Sequence, residues 1–131
     1  CDSRGIHVDP YMLRLVRKIK GDDRIVLISD STGSRGPVPG PEYEGADDLN
    51  FNMAGEISGT KNTLNAICYN MMVHTGASVV DAFRFGSYNP SRLVGFTDRG
   101  EIKRGLRADL VIVDRRFNMK KVILKGVVRK N

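Results

Sequence analysis

Between residues 24 and 36 the chain reads RIVLISDSTGSRG, and its apolar core, Ile25 to Ile28, does not alternate with polar residues. A strand with one wet face alternates with period two, whereas an unbroken apolar run of strand length suits a parallel strand covered on both faces. Parallel neighbours cannot be joined by a hairpin and need a crossover, usually a helix. The preceding residues supply one. Asp9 and Pro10 form an N-cap and first-turn pair, Met12, Leu13, Leu15, Val16 and Ile19 form an apolar stripe, and Gly21 ends the helix. A helix feeding a buried strand at residues 24–29 is half of a repeating βα unit and predicts an α/β fold.

In parallel α/β architectures the chemistry gathers where strands end and loops converge, and Asp30 stands at such an exit. This makes it a candidate catalytic carboxylate. The competing role is local: an aspartate that caps the following turn by accepting N–H groups around Thr32. His7, in GIHVDP, is the second candidate, because it would share a face with Asp30 if the residues before Pro10 end a strand. Its competing role is that of a hydrogen-bonded structural histidine.

Residues 32–55 are rich in Gly, Pro and acids and lack helical periodicity, which predicts a long irregular loop. Residues 33–55 are expected to be the most mobile internal segment, a lid that orders over a ligand. Leu64, Ile67, Cys68, Met71 and Met72 then share one helical face, with His74 in the last turn as a dipole and capping residue and Gly76 just past the end. Ser78 and Asp81 have the spacing of a capping box and open a helix to about Phe85. Asn89 as cap, Pro90 in the first turn and Gly95 at the exit predict another. Beyond these, residues 101–103, 110–113 and 119–124 read as short strands of a separate small β-structure.

Composition narrows the function classes. With 131 residues, 40% hydrophobic and 27% charged, the chain suits one domain with a real core. No apolar run approaches the roughly 18 residues of a spanning helix, and no signal-peptide pattern opens the sequence, so no membrane partner is predicted and a cytoplasmic location is the default expectation. Cys1 and Cys68 lie far apart, without metal-ligand spacing, and read as free thiols. The formal charge of +6 raises the question of nucleic acid. Basic residues are scattered among acids without interleaved aromatics, and the densest cluster, RFNMKKVILKGVVRK, fits a strand with one wet face, so no nucleic-acid partner is expected. A noncatalytic basic module using this tail is the alternative class. The chain begins at Cys1 in mid-pattern, as a piece of a longer protein would.

The segments GIHVDP, LISDST, GEISGTKNTL, NMMVHTGAS, SYNPSRLVGF and DRGEIKRGLRADLVIVD resemble, in that order and spacing, the C-terminal part of the N-acetylglucosamine-6-phosphate deacetylase family of the amidohydrolase superfamily. The similarity runs from about Gly5 to Gly126. It implies a (β/α)8 barrel plus a small β-sandwich, with residues 1–98 supplying the last barrel strands and helices and residues 99–131 a portion of the sandwich. Such a barrel needs at least about 200 residues, so it would be incomplete in this chain. By the same resemblance Asp30 matches the catalytic aspartate at the end of the eighth strand, which takes a proton from water and returns it to the departing amine.

His7 matches a substrate-contacting histidine, with backbone contacts at Gly5 and Ile6, and Ile57, Ser58 and Gly59 match a segment that closes over substrate. The implied partners are a phosphorylated amino sugar, the remainder of the barrel and further copies in a homo-oligomer. The implied cofactor is a divalent metal ion, zinc or similar, whose ligands, a Glu and two His, would lie upstream of Cys1 together with a phosphate-binding Arg. No metal ligand is therefore expected in this chain. Two departures stand out: CDSRGIH is longer by Ser3 and Arg4 than the commonest form, and Ser31 stands where Ala is frequent. An amidohydrolase acting on another amide or on a cyclic ureide is the alternative within enzymes.

Overall fold

The computed structural model of the chain describes residues 1–129, so Lys130 of the basic cluster and the last two residues of the 99–131 portion lie outside the described residues. Helix α1, Pro10–Lys20, begins where Asp9 accepts the Tyr11 N–H at 2.7 Å and ends where Gly21, at φ 75°, donates to the Arg17 carbonyl. Arg17, Lys18 and Lys20 in its last turn suit the negative end of the helix dipole. It packs against α2, Leu64–Thr75, which buries Ile67, Cys68, Asn70 and Met71 and is closed by left-handed Gly76. Cys1 and Cys68 are free thiols, and burial pushes the Cys68 thiol up to about 11. Ser78 and Asp81 form the reciprocal capping box ahead of α3, Val79–Phe83.

Asn89 is helical and does not cap. A π-turn, Arg84–Tyr88, joins α3 to α4, Asn89–Leu93, in one continuous run, and the Asn89 N–H donates five residues back to Arg84. The next bond in that pattern would come from residue 90, but Pro90 has no N–H. The Phe85 carbonyl thus freed accepts the Leu27 N–H at 2.9 Å, and Asn89 Nδ2 donates to the carbonyls of Ile25 at 2.6 Å and Asp22 at 2.8 Å. A proline inside a helix is tolerated here because another segment takes up the carbonyl it strands.

That segment is the apolar run expected as a strand. Asp22–Arg24 is a 3-10 turn, and among the described residues, 25–30 form no ladder; the segment meets a strand at its exit, through a parallel bridge between Ser31 and Thr60. Ile25 is buried, but Ile28 is 67% exposed, so the run is not covered on both faces. An apolar pattern specifies what a strand would bury; it does not supply neighbours, and among the described residues the backbone of 25–27 is met by the helix end.

Residues 32–55 are not structureless. They contain a 3-10 turn, Pro41–Tyr43, and strand β1, Leu49–Phe51, which pairs antiparallel with β2, Ile57–Thr60, across a bulge. Ala46, Leu49 and Phe51 are buried beneath Ile6, Tyr43 and Ile57, with the Tyr43 and Phe51 rings edge-on at 5.1 Å. Residues 57–59, which the resemblance matches to a segment that closes over substrate, therefore lie in a strand.

At the C-terminal end β3, Leu110–Val113, β4, Met119–Leu124, and β5, Val127–Arg129, form an antiparallel meander. Residues 101–103 are not a strand, and Ile102, whose apolar side chain suggested one, is 89% exposed. The β3–β4 turn is organised by Asp114, which accepts the N–H groups of Arg116 and Asn118. It presents Phe117 at φ 61°, a conformation few bulky residues adopt. Phe117 is buried, stacks on Phe83 at 4.8 Å and meets Tyr69 edge-on at 5.7 Å, while its carbonyl accepts from Asn65 at 2.8 Å.

The sheet is thus plugged into the helices by one aromatic side chain. Phe117→Ala should lower stability by about 3–5 kcal/mol, the usual cost of emptying a buried phenyl site. Urea denaturation measures it, and a loss under about 1 kcal/mol would show that the ring contributes little to docking the sheet.

Candidate active site

The loop that carries Gly5, Ile6 and His7 is wound around a carboxylate. Asp2 is fully buried and accepts the backbone N–H groups of Ile6 at 2.8 Å, His7 at 2.9 Å and Arg4 at 3.2 Å. Burial alone would raise its pKa, but the converging N–H donors outweigh it and hold the carboxyl below its ordinary value. Helix α2 pins the same stretch: His74 Nε2 donates to the Asp2 carbonyl at 2.8 Å and Asn70 Nδ2 to that of Cys1 at 3.2 Å. A carbonyl can only accept, so Nε2 carries the proton. His74, expected to serve the helix end, therefore also anchors the loop.

Gly5 lies at φ 71°, and a Cβ there would stand 2.4 Å from Pro10 Cδ. Ser3 and Arg4, the two extra residues, both make ties: the Ser3 N–H to Asp48 Oδ2 at 2.7 Å and the Arg4 guanidinium to the Glu44 carbonyl. Residues 3–8 form turns and bends, so the condition under which His7 and Asp30 would share a strand-end face, a strand ending before Pro10, is not met. The His7 imidazole is exposed and has no hydrogen-bond partner among the described residues.

Asp30 lies at φ 49°, in the left-handed region that aspartate visits more readily than most residues. Its carbonyl accepts the Thr60 N–H at 2.8 Å, and the Thr32 N–H goes to the Thr60 carbonyl at 3.3 Å. The turn-capping role is therefore not the one adopted. The Asp30 carboxylate is exposed and, among the described residues, engaged by no hydrogen bond. Gly59 makes the close approach possible, since at φ 80° a Cβ on it would lie 2.3 Å from the Asp30 carbonyl oxygen. The Thr32 hydroxyl donates to the Ser58 carbonyl, and the Ser34 and Ser58 hydroxyls are 2.9 Å apart.

The structure therefore sets the Asp30 carbonyl directly against Gly59 and Thr60, with Ser58 held by the neighbouring Thr32 and Ser34, and sets Ile6 against the cluster that holds Ile57. The His7 loop and the Asp30 exit flank one hairpin. Sequence reasoning missed Asp2, Asn50 and Thr60, three buried polar residues that hold these segments. Among the described residues no group of three or more His, Cys, Asp or Glu side chains is placed to hold a metal ion, so the residues present do not by themselves fit one.

A depressed folded-state pKa stabilises the loop above the unfolded value, about 3.9 for aspartate, and the stabilisation is lost as pH falls through the folded value. The Ile6 and His7 amide resonances should therefore move together on acidification below about pH 4, and Asp2→Asn should abolish that transition. Amide positions that stay unchanged into acid would show that the carboxylate does not order the loop.

The amidohydrolase family model matches residues 13–129. The chain is 28% identical over 135 residues to the N-acetylglucosamine-6-phosphate deacetylase of Lysinibacillus sphaericus, covering 95% of this chain and 34% of that protein. It is 26% identical over 129 residues to the N-acetylgalactosamine-6-phosphate deacetylase of Escherichia coli O157:H7, covering 93% and 34%. The crystal structure of the N-acetylglucosamine-6-phosphate deacetylase of Thermotoga maritima superposes with a TM-score of 0.80 at 28% identity, over 97% of this chain and 37% of that one. The chain spans about a third of the length of these relatives. Matched by the family model from within α1 to the end of β5, the chain belongs to the amidohydrolase family.

Proposed function

We propose that this chain is the C-terminal part of a deacetylase that hydrolyses N-acetylglucosamine 6-phosphate to glucosamine 6-phosphate and acetate, with Asp30 as its proton-transfer residue. The observation that carries the reading is the Asp30 carboxylate itself: exposed, free of hydrogen bonds among the described residues, and standing on a left-handed backbone that its neighbours hold in place. A group that merely finished a turn would be engaged in it. In this reading Asp30 takes a proton from water as the oxygen attacks the acetyl carbonyl, then passes it to the nitrogen as the C–N bond breaks. A divalent ion belongs to the same reading, with its ligands in residues beyond this chain; the role assigned to Asp30 is proton transfer alone.

His7 binds the sugar or its phosphate through the exposed imidazole. The N–H groups of Ile6 and His7 are committed to Asp2, so backbone contact at Gly5 and Ile6 falls to their carbonyls and the Gly5 N–H. Ile57, Ser58 and Gly59 line the same substrate from the hairpin. Residues 1–98 would complete the end of a (β/α)8 barrel, and 99–131 a portion of a β-sandwich, with Phe117 as the tie between them. Among the described residues no helix is long and apolar enough to cross a membrane. A cytoplasmic homo-oligomer completes the reading. The relative named for N-acetylgalactosamine 6-phosphate makes that epimer the second substrate to assay.

In the complete protein Asp30→Asn should fold and bind substrate yet lose turnover by a factor of roughly 10²–10⁴. Near-normal kcat in a correctly folded variant would remove the assignment. His7→Ala should raise KM more than it lowers kcat, because it holds substrate and transfers no proton. Both constants unchanged would make His7 a bystander.

A further inference from the structure

Among the described residues Asp30 has no side-chain hydrogen bond to aim it, so its direction is set by its backbone. Among the described residues, the backbone hydrogen bonds from Ser29 to Thr32 all run to Asn50 or Thr60. The Thr60 hydroxyl donates to the Ser29 carbonyl at 2.7 Å, and the Thr60 N–H to that of Asp30 at 2.8 Å. The Thr60 carbonyl accepts the Thr32 N–H at 3.3 Å. Asn50 Nδ2 closes the arrangement, its two N–H groups shared among the Thr32 carbonyl at 2.8 Å, the Thr60 carbonyl at 2.9 Å and the Thr32 hydroxyl at 3.2 Å. Asn50 is 4% exposed and Thr60 1%. A buried amide and a buried hydroxyl with these partners need apolar surroundings to be exchanged for a fixed geometry, and the geometry they fix is the stretch on either side of Asp30.

We propose that Asn50 and Thr60 are positioning residues for Asp30: together they lock its left-handed backbone so that the carboxylate faces the substrate. The proposal rests on the proton-transfer reading of Asp30. It follows that disturbing the clamp should act on turnover through Asp30 and leave substrate binding, assigned to His7 and the hairpin backbone, nearly intact. Displacing a reacting group by about 1 Å can cost two orders of magnitude, so even a small relaxation at φ 49° is visible in kcat.

The test uses the complete deacetylase, with N-acetylglucosamine 6-phosphate as substrate and far-UV circular dichroism and thermal melts to confirm folding. Asn50→Ala and Thr60→Val should each lower kcat roughly 10- to 100-fold with KM within about twofold, while Thr60→Ser, which keeps the hydroxyl, should stay close to wild type. Added to Asp30→Asn, neither should lower kcat further, because residues that act through one group are not additive. If Asn50→Ala fails to fold, the Thr60→Val and Thr60→Ser pair decides. Losses that multiply with Asp30→Asn, a change in KM alone, or Thr60→Val turning over like wild type would overturn the clamp while leaving Asp30 catalytic. Normal turnover by Asp30→Asn itself would overturn both the clamp and the reading beneath it.

Discussion

The parallel junction between Thr60 and residues 29–32 is the constraint on which the site depends. Two backbone bonds, Thr60 N–H to Asp30 and Thr32 N–H to Thr60, join an extended segment arriving from α1 to a hairpin that lies almost thirty residues further along. The approach is close enough to require glycine at position 59, and it leaves Asp30 in a conformation that an isolated chain would seldom populate. Without the junction the apolar run would have no partner at its exit, and the carboxylate would be free to fold back onto the N–H of Thr32.

The other end of the same segment is held by an equally specific device. A π-turn ahead of Pro90 releases the Phe85 carbonyl to Leu27, and Asn89 reaches the carbonyls of Asp22 and Ile25. Residues 25–32 are therefore tied at one end to a helix and at the other to a strand, using main-chain groups that neither α-helix nor ladder consumes. Asp2 does the same work for the His7 loop with a single buried carboxylate. Rigid supports holding exposed functional groups is the arrangement expected of a site that binds and transforms a ligand.

Much of this was legible where the signal is local. The Asp9 and Pro10 start of α1, its Gly21 stop, the Ser78 and Asp81 capping box and the bounds of β3 and β4 follow from residues within a few positions of one another. Asp30 and the segment 57–59 stood out by position and motif, and the structure brings them into contact. What escaped depends on partners distant in sequence. The run at 25–28 reads as a strand, yet pairing is a property of its neighbours; Asn89 before a proline looks like a cap, and only Ile25 and Asp22 reveal why it is helical. Asn50 between Leu49 and Phe51 resembles the wet face of a short strand, and polar Asp2 and Thr60 gave no hint of burial. Buried polar residues are invisible to hydropathy because their partners are what make burial tolerable.

The most direct measurement is a crystal structure of the complete protein as its Asp30→Asn variant with N-acetylglucosamine 6-phosphate bound. The side chain at position 30 should point at the acetamido group, with one Asn atom within about 2.6–3.2 Å of the amide nitrogen, and the Thr60 and Asn50 bonds should be in place. A side chain turned back onto the Thr32 N–H, with the acetamido group bound elsewhere, would contradict the account.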